Sequence, residues 1–173
     1  MVEDEIVSID DQGKEGIRID RISVGKFVFL SIITMGLYEV WWIYKSWRFF
    51  KYKDNLDIAP AIRAMTSFIF LIPLFNKILK LASANGYKQK YSSIFLFFGY
   101  FVVCLLVKLP KPAMLVAILA FVFLIPPFKA LNYAFDYCDG YVVFEQKGFN
   151  GREVFLIVVG SIFWFLLLVG VAM

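Results

Sequence analysis

The sequence predicts an all-α integral membrane protein with about three full transmembrane helices and two shorter segments that enter the bilayer and return. Three observations carry this. Of 173 residues, 61% are hydrophobic and 19% aromatic, with a mean hydropathy of +0.73, whereas a soluble domain is usually about half apolar. The apolar residues fall into segments of unequal length. The lysines and arginines gather beside some of these segments and avoid others. No polar stretch is long enough for a second soluble domain. The expected organisation is therefore a polar, acidic tail over residues 1–24 and one membrane-embedded helical domain over residues 25–173.

The first 20 residues are rich in Asp and Glu and do not read as a secretory signal, which starts basic and runs into a short apolar stretch. "EIVSIDDQGKEGIRID" alternates apolar and polar residues on both sides of Gln12-Gly13. A small hairpin and a disordered tail both fit that pattern.

A spanning helix needs about 20 mostly apolar residues. Residues 154–173 supply 20 without a charge, and residues 91–107 and 112–128 supply 17 each, the last ending in Pro126-Pro127. Residues 27–44 and 61–82 fall short. The first holds only 12 uncharged residues before Glu39, and the second holds 13 between Arg63 and Lys77. These two are expected to be re-entrant or interfacial.

Cytoplasmic flanks carry the excess Lys and Arg. If only the three longer segments cross, with the N-terminus on the cytoplasmic side, 16 basic residues lie inside and 2 outside; if all five cross, the split is 11 to 7. Charge thus agrees with length. A five-crossing bundle is the alternative, because buried charges can pair within it.

In the first short segment, Thr34, Met35 and Gly36 mark a helix break. Glycine permits the bend, and a threonine hydroxyl can satisfy a freed carbonyl. Pro73, Pro126 and Pro127 are read as further breaks. The exit, "WWIYKSWRFFKYK", suits an interface: Trp41, Trp42, Tyr44 and Trp47 at headgroup level, with Lys45, Arg48 and Lys51 meeting anionic lipid headgroups. In the second short segment Arg63, Thr66, Pro73, Lys77 and Lys80 share one helical face, a pattern for a helix lying partly in the interface. Glu39 stands among apolar residues. A carboxylate at depth is costly without a partner, and Arg63 or Lys77 is the expected one.

Two internal echoes stand out: "FIFLIPLF" (68–75) with "FVFLIPPF" (121–128), and "GKFVFLSII" (25–33) with "GREVFLIVV" (151–159). Transporters often contain repeats with broken helices, but these two echoes do not combine into one duplication.

Residues for chemistry are scarce. There is no histidine, and Cys104 and Cys138 alone cannot hold zinc. No phosphate loop, nucleophile elbow or zincin signature occurs. Asp136, Asp139, Glu145 and Glu153 read as a solvated loop. The basic residues are accounted for as membrane flanks, so nucleic acid is not an expected partner. No cofactor is expected either.

The stretch "IITMGLYEVWWIYKSW" resembles a group of small bacterial multi-pass membrane proteins of unknown function. These carry a motif T-x-G-I/L-Y-x-x-Y/W-W, which maps here to Thr34, Gly36, Leu37, Tyr38, Trp41 and Trp42. "PFKALNYA" and the glycine-flanked last helix are similar to the same group, so the resemblance extends over most of residues 25–173. It implies a protein of the bacterial cytoplasmic membrane and brings no activity with it. Glu39 falls on a variable position of the motif.

The expected function is therefore non-enzymatic: a partner subunit or a lipid-organising hairpin protein. Its expected partners are membrane lipids with anionic headgroups on the cytoplasmic side, and a second copy or another membrane protein. The alternative is a small transporter or channel component working through the broken helices and Glu39.

Overall fold

A computed structural model describes residues 7–9, 15–108, 110, 113–138, 141–146 and 148–172. The chain is mostly helical, as expected, but it also contains a sheet. Strands β1 (Val7–Ile9), β2 (Glu15–Arg21) and β3 (Tyr141–Glu145) pair in that order. β1 runs antiparallel to β2, with Val7 opposite Ile17, so the hairpin alternative is the one the chain adopts; its turn at Gln12-Gly13 lies outside the described residues. β2 runs parallel to β3, with Ile17 opposite Tyr141 and Arg21 opposite Glu145. Residues 15–21 are thus a central strand and not a tail. The sequence between the strands gave no sign of this pairing, because the two partners lie far apart in the chain.

Parallel pairing makes both strands point the same way, and each feeds a helix. β2 leads into α1 (Val24–Ile33), and β3 leads into α7 (Gly151–Ala172). Between them come α2 (Leu37–Lys53), α3 (Pro60–Met65), α4 (Ser67–Ala84), α5 (Ser93–Leu105), a 3-10 turn (Leu106–Lys108), a 3-10 segment (Ala113–Leu124) and α6 (Ile125–Tyr137). Ser23 starts α1 by accepting from the Lys26 amide, and Ser92 starts α5 by accepting from Phe95. Both are side-chain N-caps.

Among the described residues two helices are long and apolar enough to cross a membrane: Leu115–Tyr137 and Gly151–Val169. The first does not end at Pro126-Pro127. Those prolines occupy the first turn of α6, where the missing N–H costs nothing, and the helix runs on past them. Pro73 likewise lies inside α4, on its exposed face, and does not end it. The helical stretch Ser93–Lys108 is shorter.

Thr34 and Gly36 do break the chain. Met35 and Gly36 both have positive φ, 50° and 88°. α2 then runs back along α1: Phe27 packs edge-on against Tyr38 and Trp42, with ring centroids 6.1 and 5.8 Å apart. The backbone groups at this turn are satisfied internally. The Thr34 hydroxyl donates to the Leu30 carbonyl (2.7 Å) and accepts from the Tyr38 amide (3.0 Å). The Gly36 amide donates to Ser31, and the Trp164 indole on α7 donates to Ile32 (3.1 Å). Gly160 of α7 lies against the Ile33 carbonyl, where a Cβ would collide with it.

The core lies between α1, α2, α4 and α6, around Phe27, Tyr38, Trp47, Phe75 and Phe128. On α4 the residues Leu71, Leu74, Phe75, Ile78 and Ala82 are fully buried, while Pro73 and Lys80 face out. This is the amphipathic face expected from the sequence. The outer faces of α5 and α7 are the reverse of a soluble surface: Phe95 is 69% exposed and Phe155 66%.

The Gly160 contact predicts a sharp asymmetry between two glycines. Gly160→Ala pushes α7 off the end of α1 and lowers the unfolding midpoint in detergent by several degrees. Gly25→Ala, where nothing lies within 4 Å of the added Cβ, leaves the midpoint unchanged or raises it, since Ala is the better helix former. Equal midpoints for the two variants, measured by thermal unfolding, would sink this account of the α1–α7 contact.

Candidate functional site

The polar groups of the protein gather where the sheet meets the first turns of α1 and α7. Glu153 is central to them. It is 2% exposed, yet its carboxylate takes four partners. Lys26 of α1 lies 3.2 Å away, Gln146 donates at 2.8 Å, the Asn150 amide at 3.1 Å, and the Tyr38 hydroxyl of α2 at 3.4 Å. The Asn150 contact is the reciprocal half of a capping box: a glutamate at the third helical position reaches back to the residue before the helix. The sequence shows the signal as Asn150-Gly-Arg-Glu153, and the solvated-loop reading missed it. Asp136 is also engaged, by an ion pair with Arg21. Glu145 is exposed, and Asp139 lies outside the described residues.

Beside this network a cleft of roughly 570 Å³ opens between β2, α2, α6 and the start of α7. One stripe of α2 lines it: Trp41, Lys45, Arg48 and Tyr52, spaced as i, i+4, i+7 and i+11 on a helix. Asp20, Arg21, Arg152 and Glu153 complete its polar wall. The carboxylates there are already taken, since Arg18 pairs with Asp20 at 2.9 Å and Lys26 with Glu153. Among the described residues Lys45, Arg48 and Arg152 have no carboxylate within ion-pair distance. Arg152 stands over the Trp41 ring (5.8 Å) and Arg48 over Tyr52 (5.9 Å). Burial holds the Lys45 ammonium below the usual lysine range, opposed by the charges of Glu153 and Asp20.

The expected interfacial residues therefore divide. Trp41, Lys45 and Arg48 share the cleft. Tyr44 is half-buried and stacks on Trp41 at 5.3 Å. Trp42 and Trp47 do not face lipid. They lie on the inner stripe of α2 and are 6% and 0% exposed, because that stripe packs on α1 and α4. Lys51 lies outside the cleft. Arg152 was not among the expected contacts, although its place one residue before Glu153 puts it at the same level.

The expected partnership of Glu39 does not form. Lys77 pairs with Asp54 at 2.6 Å, and Arg63 lies over the rings of Trp47 (4.4 Å) and Phe70 (5.0 Å). Asp54 follows the C-terminal end of α2, Trp47 lies in its second half and Phe70 is on α4, all away from Glu39. Glu39 is 2% exposed in the first turn of α2, where the positive end of the helix dipole favours a carboxyl group. Its side chain bonds Tyr100 of α5, which also bonds Cys104. Among the described residues no cluster of His, Cys, Asp or Glu is arranged to hold a metal ion.

No family model matches the chain, and no curated protein or solved structure is detectably similar to it.

The two buried carboxyl groups are expected to respond differently to mutation. Glu153→Gln leaves Lys26 buried without its counter-charge and costs about 3–5 kcal/mol, and adding Lys26→Met restores much of that loss. Glu39→Gln keeps a hydrogen bond to Tyr100 and costs less than about 1 kcal/mol, whereas Glu39→Ala strands the phenol and costs about 1–3 kcal/mol. Denaturant unfolding of the purified protein in mild detergent measures all four. A Glu39→Gln loss as large as that of Glu153→Gln contradicts the assignment.

Proposed function

We propose that this is a non-enzymatic, multi-pass protein of a bacterial cytoplasmic membrane that organises lipid around a re-entrant hairpin. In this reading α5, the helix Leu115–Tyr137 and α7 cross the bilayer. α1 and α2 enter from the cytoplasmic side and return to it, and the sheet lies on that side with the N-terminus. The observation that carries the reading is that Lys45 on α2 and Asp20, which precedes α1, line the same cleft. The chain is therefore back at its level of entry after the hairpin. Phe49 and Lys53, farther along α2, approach Tyr141 of β3 at 5.4 and 6.0 Å.

Depth agrees. α1 has 10 residues, about 15 Å at 1.5 Å per residue, or half of a hydrocarbon core of about 30 Å. Non-helical backbone at that depth must be enclosed by protein, and Thr34, Gly160 and Trp164 enclose the turn. The 16-to-2 division of basic residues supports the same placement, as does the resemblance to small bacterial membrane proteins. A hairpin confined to one leaflet adds volume to that leaflet alone. That is a physical basis for lipid organisation that needs no catalytic residue.

The transporter reading rests on one observation, the Glu39–Tyr100–Cys104 chain buried between α2 and α5. Among the described residues Glu39 has no ion-pair partner.

Topology is the direct test. In a background lacking Cys104 and Cys138, a cysteine placed at Asn55 is expected to resist a membrane-impermeant maleimide in intact cells and to react after lysis. Native Cys138 is buried and does not serve as the probe. Labelling of residue 55 in intact cells overturns the re-entrant reading. In proteoliposomes the protein is expected to narrow vesicle diameter as its density rises, with no coupled proton or ion flux. Flux abolished by Glu39→Gln in a stably folded protein decides for the transporter.

A further inference from the structure

Two concavities meet at Trp41. On one side of its ring is the basic cleft with Lys45, Arg48 and Arg152. On the other is a groove of roughly 340 Å³ between α2, α3 and the first turns of α7, lined by Leu37, Val40, Tyr44, Ala64, Met65 and Leu156. The groove walls are almost wholly apolar. Trp41 belongs to both, Arg152 stands over it, and Tyr44 stacks on it. We infer that the two concavities form one binding site for a single anionic phospholipid, its phosphate held by Lys45, Arg48 and Arg152 and one acyl chain lying in the groove past Trp41.

The argument is one of complementarity. Five cations and two carboxylates line the cleft. Both carboxylates are bound by cations outside the trio, Asp20 by Arg18 and Glu153 by Lys26. Three positive charges are left facing one space with no carboxylate in ion-pair contact among the described residues, Lys45 feeling Glu153 and Asp20 only at longer range. Like charges held together are costly unless an anion joins them, and arginine suits a phosphate geometrically. A soluble phosphate would use the cleft and leave the groove to water. A diacyl chain uses both, and the groove runs from the cleft toward the exposed apolar side chains Leu37 and Met65, 46% and 81% exposed. A zwitterionic headgroup brings its own cation into the cleft and is disfavoured there. The inference rests on the proposed placement of this end of α2 at the cytoplasmic headgroup level. Binding in micelles tests the site without assuming any topology, so the two can fail separately.

The test uses the full chain in a neutral detergent, titrated with phosphatidylglycerol, phosphatidylcholine or inorganic phosphate, and read by thermal unfolding and by native mass spectrometry of retained lipid. Phosphatidylglycerol is expected to raise the unfolding midpoint and to remain bound as one molecule per chain. Phosphatidylcholine and phosphate are expected to do neither. Arg152 is exposed, so Arg152→Gln folds normally and is expected to weaken phosphatidylglycerol binding about fivefold, the usual effect of one basic residue at an anionic surface. Adding Lys45→Gln and Arg48→Gln extends the loss to about a hundredfold. Ala61→Trp, introduced at an exposed position that lines the groove, is expected to displace the acyl chain while leaving the cations in place. An equal effect of phosphate and phosphatidylglycerol overturns the groove assignment. An equal effect of phosphatidylcholine, or retention unchanged in the folded Arg152→Gln protein, overturns the assignment of the cations.

Discussion

The fold depends on one buried carboxylate. Glu153 joins α1 through Lys26, α2 through Tyr38, the β3–α7 connection through Gln146, and its own helix start through the Asn150 amide. Each of these elements continues from the sheet into mostly apolar sequence, and none has enough polar surface of its own to fix its position. A charge buried with a single partner is weak evidence for stability. Here the carboxylate has a cation and three hydrogen-bond donors, which is the condition under which burial of a charge is tolerated. Lys26 makes a second contact to the Gly148 carbonyl, so both members of the pair are held from more than one side.

That fixed level organises α2. One stripe of the helix (Tyr38, Trp42, Ser46, Trp47 and Phe50) is buried, with Tyr38, Trp42 and Ser46 forming part of the cleft's inner wall, and another (Trp41, Lys45, Arg48 and Tyr52) lines the cleft farther out. Because the inner stripe is aromatic and fully packed, the helix cannot roll to pair its cations with the acids of the sheet. Arg18 already occupies Asp20 of β2, and Arg21 occupies Asp136 of α6. The excess of positive charge in the cleft is thus a consequence of packing on the opposite side of the same helix.

Composition and segment length made the broad architecture legible. The helical character, the break at Thr34-Gly36 and the amphipathic face of α4 follow from local residues and period; the Thr34 hydroxyl serves the free Tyr38 amide, since the Leu30 carbonyl it also bonds already accepts the Thr34 amide. What was not legible depends on contacts distant in sequence. The β2–β3 pairing joins strands separated by nearly the whole helical region. Trp42 and Trp47 have the composition of interface residues, and only the packing of α2 on α1 and α4 turns them inward. Prolines were read as breaks because they remove a donor, yet at the start of α6 that donor has no use. Glu39 attracted attention as a charge among apolar residues, but the helix N-terminus and Tyr100 give it a structural place. The charge on which more depends, Glu153, looked ordinary at the edge of a polar loop.

The echo between residues 25–33 and 151–159 acquires a physical reading from the sheet. β2 and β3 are parallel neighbours, so the helices that follow them leave in the same direction and lie side by side. Both carry glycine and a basic residue in the first turn at the sheet boundary and continue as mostly apolar runs. They diverge at one level. α1 stops at Ile33, and the carbonyls of its last turn need partners or close cover. α7 supplies both at that height, through the Trp164 indole and the bare backbone of Gly160. The longer helix therefore does for the shorter one what water does at an exposed helix end, and the chain can make this buried turn because α7 passes it.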